Sequence, residues 1–213
     1  MAFEGAREGG PNNPILGVAR NSALYVFCLC AEKDLLSQWR AYGKSGTGVG
    51  VGFDRLKLHS LKLDDCCAVR LPTVFPVIYS ENEQSAIIDS VIEIVKDIFH
   101  RLAPDADRQE FWQCVASVLT WTSFHFKNAA FFEEQEWRTL WMSVPETRVR
   151  FRAGSNGLIP YTPIAFPRPT VTRIVQGPML DPAIGEGALQ WFLDAEGYTN
   201  VLIDRSQIPL RAL

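Results

Sequence analysis

Two clusters of residues in this chain have the types and spacing to do chemistry. The first is Lys127 with Glu133-Glu134-Gln135-Glu136-Trp137-Arg138, where three carboxylates and two cations crowd the entrance to an apolar run. Glu134 and Glu136 are two residues apart, so on an extended chain they face the same side. Close carboxylates raise one another's pKa, which suits acid/base work or ion binding. Glu136 and Glu134 are therefore the catalytic candidates, with Lys127, Trp137 and Arg138 as ligand-binding candidates. The alternative is a Glu–Arg structural pair with solvated acids in a helix-to-strand loop, and the residues leave both readings open.

The second cluster is Phe27-Cys28-Leu29-Cys30, Asp34, Gln38-Trp39-Arg40-Ala41-Tyr42-Gly43 and Gly48-Val49-Gly50-Val51-Gly52-Phe53. A buried strand leads through a turn into a helix that carries polar and aromatic side chains. Cys30, Gln38, Trp39 and Tyr42 are the ligand-binding candidates there. Trp39 and Tyr42 also have the i, i+3 spacing of ordinary core residues. The glycine run lacks the Lys-Ser/Thr ending of a phosphate loop and lies between a helix and a strand, the wrong context for one. Weaker candidates sit nearer the C-terminus. Arg148, Arg150 and Arg152 alternate, forming either a solvated strand face or an anion-binding stripe. Arg152 with Pro160-Tyr161, and Ser206 to Arg211, complete the set, with Arg211 read as a salt-bridge anchor.

The elements that must position these residues are legible in outline. Leu24–Cys30 reads as a strand buried on both faces, as in the middle of a sheet. Asp34 reads as the N-cap of a helix carrying Leu35, Leu36, Trp39 and Tyr42, with Gly43 as its stop. Residues 49–53 form a strand whose Gly50 and Gly52 share one face, so something packs close against the backbone there. Another strand region spans 69–79. Residues 84–102 form the clearest amphipathic helix, with Ile87, Ile88, Val91, Ile92, Val95, Ile98, Phe99 and Leu102 on one stripe. A second, mostly buried helix is expected over 108–131. Strands follow at 136–142, 147–152, 158–161 and 171–176, then a helix over 183–196 and a strand near 200–203. Helices and strands mix without steady βαβ alternation, which argues an α+β fold with a mixed or antiparallel central sheet flanked by helices. Residues 1–22 read as a loose lead-in and 23–213 as a single domain.

Composition limits the function classes. The chain has 213 residues, 47% hydrophobic and 21% charged, with a net charge of −3. This is ordinary globular usage. No basic run suggests a nucleic-acid partner. Cys28, Cys30, Cys66, Cys67 and Cys114 form no CxxC pair, and His59, His100 and His125 are widely spaced, so no metal site is expected. Reduced cysteines in a reducing compartment fit best. No run reaches the roughly 18 apolar residues of a membrane span. Glu4 and Glu8, ahead of the short apolar run 24–31, argue against a signal peptide. The cytoplasm is the expected compartment.

Taken together, these motifs resemble a large, mostly bacterial domain family of unknown function. Phe27 to Cys30, Asp34, Trp39, Tyr42, Gly48 to Phe53, Lys127, Glu134 with Glu136-Trp137-Arg138, Ile174 to Pro178 and Ser206 to Arg211 supply its recurring pieces in order, across residues 24–211. Many members carry serine where this chain has Cys30. Many also begin with an upstream segment that is not found here before Leu24, so a shortened member is expected. The layout also resembles that of ADP-ribosyltransferases. That resemblance implies an enzyme acting on NAD or another nucleotide, with Glu136 or Glu134 as the glutamate that stabilises an oxocarbenium-like centre and Cys30 in place of a serine. The alternatives are a non-catalytic binding module in stress or phage defence, with an unknown protein partner, and an inactive truncated member.

Overall fold

The computed structural model of the chain describes residues 24–59, 68–70, 74–104, 106–143, 149–154, 157–163 and 166–210. The expected lead-in over 1–22, Arg148, Arg211, Cys66 and Cys67 lie outside the described residues.

The apolar run Leu24–Cys30 forms β1, which pairs antiparallel along its whole length with β5 (Glu136–Ser143). Register places Cys28 opposite Arg138, Leu29 opposite Trp137 and Cys30 opposite Glu136. On its other side β5 pairs with β3 (Ala68–Arg70) and β4 (Phe75–Pro76). β5 is thus the interior strand, and β1 lies at the sheet's edge among the described residues, with Val26 41% exposed. This corrects the expectation of a strand buried on both faces. A short apolar run reads alike in either place, because periodicity carries no record of pairing.

A second sheet has the order β2 (Val49–Phe53), β8 (Val171–Gln176), β9 (Leu202–Arg205). β2 and β8 are antiparallel; β8 and β9 are parallel, with the helix Pro182–Ala195 in the crossover. β6 (Arg150–Gly154) and β7 (Gly157–Tyr161) form a separate hairpin. The fold is α+β, with two main sheets where one central sheet was expected.

Five α-helices occur among the described residues: α1 (Leu36–Ala41), α2 (Arg55–His59), α3 (Glu81–Arg101), α4 (Arg108–Ser123) and α5 (Pro182–Ala195). Ser80 caps α3 by accepting from the Glu83 amide, and Asp107 caps α4 by accepting from Gln109 and Glu110. α4 stops eight residues short of the expected Phe131, and no residue in it is buried. The chain leaves the helix because Ile78 competes for its backbone: the Ile78 amide donates to His125 O and Ile78 O accepts from the Lys127 amide. Asn128 then caps a 3-10 stretch over Ala129–Glu134. Asp34 caps nothing. The N-cap of α1 is Leu35, without a side-chain bond, and Asp34 instead accepts from Trp39 Nε1 at 2.6 Å, Ser206 Oγ at 2.6 Å and the Gln207 amide at 2.7 Å.

Phe53 joins the two sheets. It packs against a cluster around Leu58 and Val74 and a second around Val171, Ile174 and Leu193. Its ring makes edge contacts with Phe27 at 6.1 Å and Phe166 at 5.1 Å. Edge-to-face contacts of this kind add to the area buried. No helix among the described residues is long and apolar enough to cross a membrane.

Candidate functional site

The two faces of β5 divide the first cluster read from the sequence, and Cys28 of the second cluster joins Glu136 on one of them. Successive side chains on a strand point to opposite sides. Glu136 and Arg138 therefore face one way and Trp137 the other.

On the first face, Glu136 is 6% exposed and saturated with donors. Its Oε1 accepts from Arg138 Nε at 2.7 Å; its Oε2 accepts from Lys127 Nζ at 2.7 Å and from the Arg138 guanidinium at 3.1 Å. Lys127 Nζ also donates to Glu134 Oε2 at 2.6 Å. Arg138 continues to the Phe124 carbonyl at 2.7 Å, tying β5 to the end of α4. The Tyr79 hydroxyl accepts from the Glu136 amide at 2.9 Å. Glu134 and Glu136 do not share a face of an extended chain, because Gln135 between them is left-handed at φ 42°. They converge on Lys127 all the same.

The electrostatics run against the acid/base expectation. Burial pushes the Glu136 carboxyl up, but the bonds from Arg138, the Cys28 thiol and Lys127 outweigh it and hold the pKa at about 2. For Lys127, burial is likewise outweighed by Glu134 and Glu136, and the ammonium is held above its usual range. Burial, then the bond to Glu136, pushes the Cys28 thiol up to about 11. Cations outmatch the neighbouring carboxylate here, so the predicted raising does not occur at Glu136. A carboxylate with every lone-pair direction engaged and a pKa near 2 is a weak base at neutral pH.

The opposite face opens on a cleft of about 560 Å³ between the two sheets. It is lined by Leu29 to Lys33 at the end of β1, Gln38, Trp39 and Tyr42 on and after α1, β2, Arg55, Trp137, and Arg173 and Val175 of β8. Cys30, Gln38, Trp39, Tyr42 and Trp137 are thus brought together; Glu134, Glu136, Lys127 and Arg138 are not among the lining residues. Trp39 is 5% exposed and fixed by Asp34 through its indole N–H, whereas Tyr42 stands at the rim, 71% exposed. The close approach expected at the glycine strand is present. A Cβ at Gly52 would lie 2.9 Å from Arg173 Cβ, and one at Gly50 would touch the Trp39 ring at 3.6 Å.

Sequence reasoning missed the cations of this cleft. The Arg55 guanidinium lies over the Trp137 ring, 5.5 Å from its centroid. Lys33 and Arg173 share Asp204, Lys33 at 2.8 Å and Arg173 in a short contact. Arg55 makes no ion pair with a carboxylate among the described residues. None of these cations had a spacing signal, since Lys33, Arg55 and Arg173 come from three separate segments. Arg150 and Arg152 lie on the separate hairpin, Arg152 opposite Ile159 and Arg150 opposite Tyr161, and are not among the residues lining the cleft. No group of three potential metal ligands occurs among the described residues.

Fold and site together define an α+β protein with an aromatic, cationic cleft between two sheets, backed by a partly buried ion-pair cluster. Residues 38–139 match the model of the family described as Protein of unknown function (DUF2971), in agreement with the resemblance read from the motifs. No curated protein and no solved structure matches the chain.

Proposed function

We propose that the protein is a binding module whose cleft takes a small planar ligand carrying an anionic group, of the nucleotide class. The observation that supports this most is Arg55 over Trp137 at the cleft, a cation on an indole face with no carboxylate partner among the described residues. A ring can stack in that position, and an anion can take the guanidinium. The cleft volume is within the usual range for small-molecule sites. Lys33 and Arg173 add positive charge that Asp204 only partly offsets.

The enzymatic reading, ADP-ribosyl transfer or another NAD reaction through Glu136 or Glu134, asks for a carboxylate facing the ligand. Glu136 lies on the other face of β5, with both oxygens engaged. Binding is therefore the reading the geometry supports better.

The test is thermal shift and calorimetry with NAD, ATP and nucleotide sugars. A ligand at a hundred times its dissociation constant stabilises the fold by about 2.7 kcal/mol. Arg55→Glu, at an exposed position, is expected to weaken binding at least tenfold while the unliganded melt stays put. An unchanged affinity in that variant, or no shift with any ligand, refutes the proposal. Turnover of NAD that Glu136→Gln abolishes in a folded protein restores the enzymatic reading.

A further inference from the structure

We infer that Asp204 is a built-in competitor for the ligand's anion, and that the cleft therefore takes a terminal phosphate in preference to a carboxylate or a phosphodiester. The inference rests on the nucleotide reading proposed above and names the part of such a ligand that the cleft selects.

One face of the β2–β8–β9 sheet is turned to the cleft. Residues opposite one another on neighbouring strands share a face. Gly52 pairs with Arg173 and Gly50 with Val175, and all four line the cleft. Asp204 pairs with Val175 from the other side and so shares that face, although it is not itself a lining residue. The glycines add no side chains there. The charges on this face come from Arg173 and Asp204, with Lys33 reaching in from just past the end of β1.

Both cations converge on one atom. Lys33 Nζ donates to Asp204 Oδ2 at 2.8 Å, and Arg173 Nη1 donates to the same oxygen in a short contact. Asp204 Oδ1 accepts nothing among the described residues, and Arg173 Nε and Nη2 donate to nothing among them. Two cations on one carboxylate leave net positive charge and unused donors, the composition of an anion site that already holds one anion. The contrast with Glu136 is direct: that carboxylate has both oxygens engaged and is 6% exposed, as a structural anchor is. The side chains of Lys33, Arg173 and Asp204 are 59%, 32% and 28% exposed. An incoming anion can reach these cations, and the displaced carboxylate can turn into water.

Charge gives the ligand class. A carboxylate or a phosphodiester carries one negative charge, as Asp204 does, so exchanging it for Asp204 gains little. A terminal phosphate carries about two charges at pH 7 and presents several strong acceptor oxygens, enough for Lys33 and the free donors of Arg173. Of the ligands named above, ATP meets this requirement, whereas the phosphates of NAD and of nucleotide sugars are diesters.

Calorimetry with adenosine, AMP methyl ester, AMP and ADP, on the parent and on Asp204→Asn, tests this. In the parent, the methyl ester is expected to bind within about threefold of adenosine, and AMP and ADP about tenfold more tightly or better. Asp204→Asn is expected to tighten the methyl ester, AMP and ADP about threefold or more and to leave adenosine unchanged. A structural role for Asp204 predicts the opposite sign, with a lower melting point and weaker binding of every ligand. Nucleotides that bind the parent but bind Asp204→Asn no more tightly overturn the inference and leave the nucleotide reading standing. An equal gain in Glu32→Gln also overturns it, because Glu32 lines the cleft without an ion pair among the described residues, and such a gain marks a general field effect. Pyrophosphate, which has no ring, separates the two readings. If it binds Asp204→Asn more tightly than the parent while no nucleotide outdoes it, the competitor stands and the nucleotide reading falls; if neither it nor any nucleotide binds either protein, both fall. Should Asp204→Asn misfold, Lys33→Gln at its exposed position decides: AMP and ADP are expected to fall toward the methyl ester, and unchanged affinities overturn the inference.

Discussion

Replacing Glu136 by glutamine separates the two faces of β5. The carboxyl falls from an ordinary 4.5 to about 2 in the folded chain. At about 1.4 kcal/mol per pH unit, that is roughly 3 kcal/mol of stability linked to its charge. The sign follows from the direction. Lowered in the folded state, the group contributes fully above its unfolded pKa and loses that contribution as pH falls toward 2. Glutamine removes it at every pH and leaves Arg138, with a side chain only 15% exposed, without its carboxylate. For a chain of this size each kcal/mol moves the midpoint by about 2–4 °C, so Glu136→Gln is expected to melt about 6–12 °C lower at pH 7. The assay is a set of thermal melts from pH 7 down to pH 3. The parent should lose stability below about pH 5, and the variant should show a shallower loss. A variant that melts within a degree or two of the parent at pH 7, or falls with acid just as steeply, refutes the account of Glu136 as a structural anchor. Ligand affinity in the cleft is expected to stay within about threefold, because the mutated side chain points away from it.

Glu134→Gln is expected to cost under about 1 kcal/mol in chemical denaturation, because Lys127 keeps its bond to Glu136. Asp34→Ala removes the acceptor of Trp39 Nε1, Ser206 Oγ and the Gln207 amide, and is expected to cost about 2–3 kcal/mol in denaturant melts with a shifted tryptophan emission. Gly52→Ala drives a methyl against Arg173 Cβ, with an expected loss of about 1–3 kcal/mol and weaker ligand binding by calorimetry. Cys28 and Cys114 are both exposed, but the Cys28 thiol is held near 11 by burial and Glu136, so Cys28 is expected to alkylate more slowly than Cys114 at pH 8 in the folded chain; mass spectrometry of timed alkylation reads the order.

Much of the fold was legible where the signal was local. β1, β2, α3 and α5 fall within a few residues of their expected positions, because each has a sustained apolar pattern and a turn or cap at its ends. Two other features depend on partners far away in sequence and could not be read locally. Asp34 has the type and position of a helix cap, yet Ser206 and Gln207, over 170 residues on, claim its oxygens. The pattern of α4 runs on to Phe126, yet Ile78 takes the His125 carbonyl and the Lys127 amide just past the helix end. The site was half legible for the same reason. Aromatic residues and glycines at fixed offsets marked one wall of the cleft. Arg55, Lys33 and Arg173 are scattered, and only the pairing of β2 with β8 and the docking of the two sheets bring them together.

The motif Glu136-Trp137-Arg138 shows why a spacing argument can find the right segment and misplace its chemistry. Three adjacent residues on a strand must divide between two faces. A sequence pattern records them as one cluster, but the sheet sends the charges inward to Lys127 and the end of α4 and the indole outward to the cleft. The charges anchor β5 at the end where Trp137 stands. The ion cluster therefore acts on the cleft through position alone: it holds the strand that presents Trp137 beneath Arg55. Loss of a single ion pair is expected to appear in stability before it appears in binding, whereas loss of Arg55 is expected to appear in binding alone.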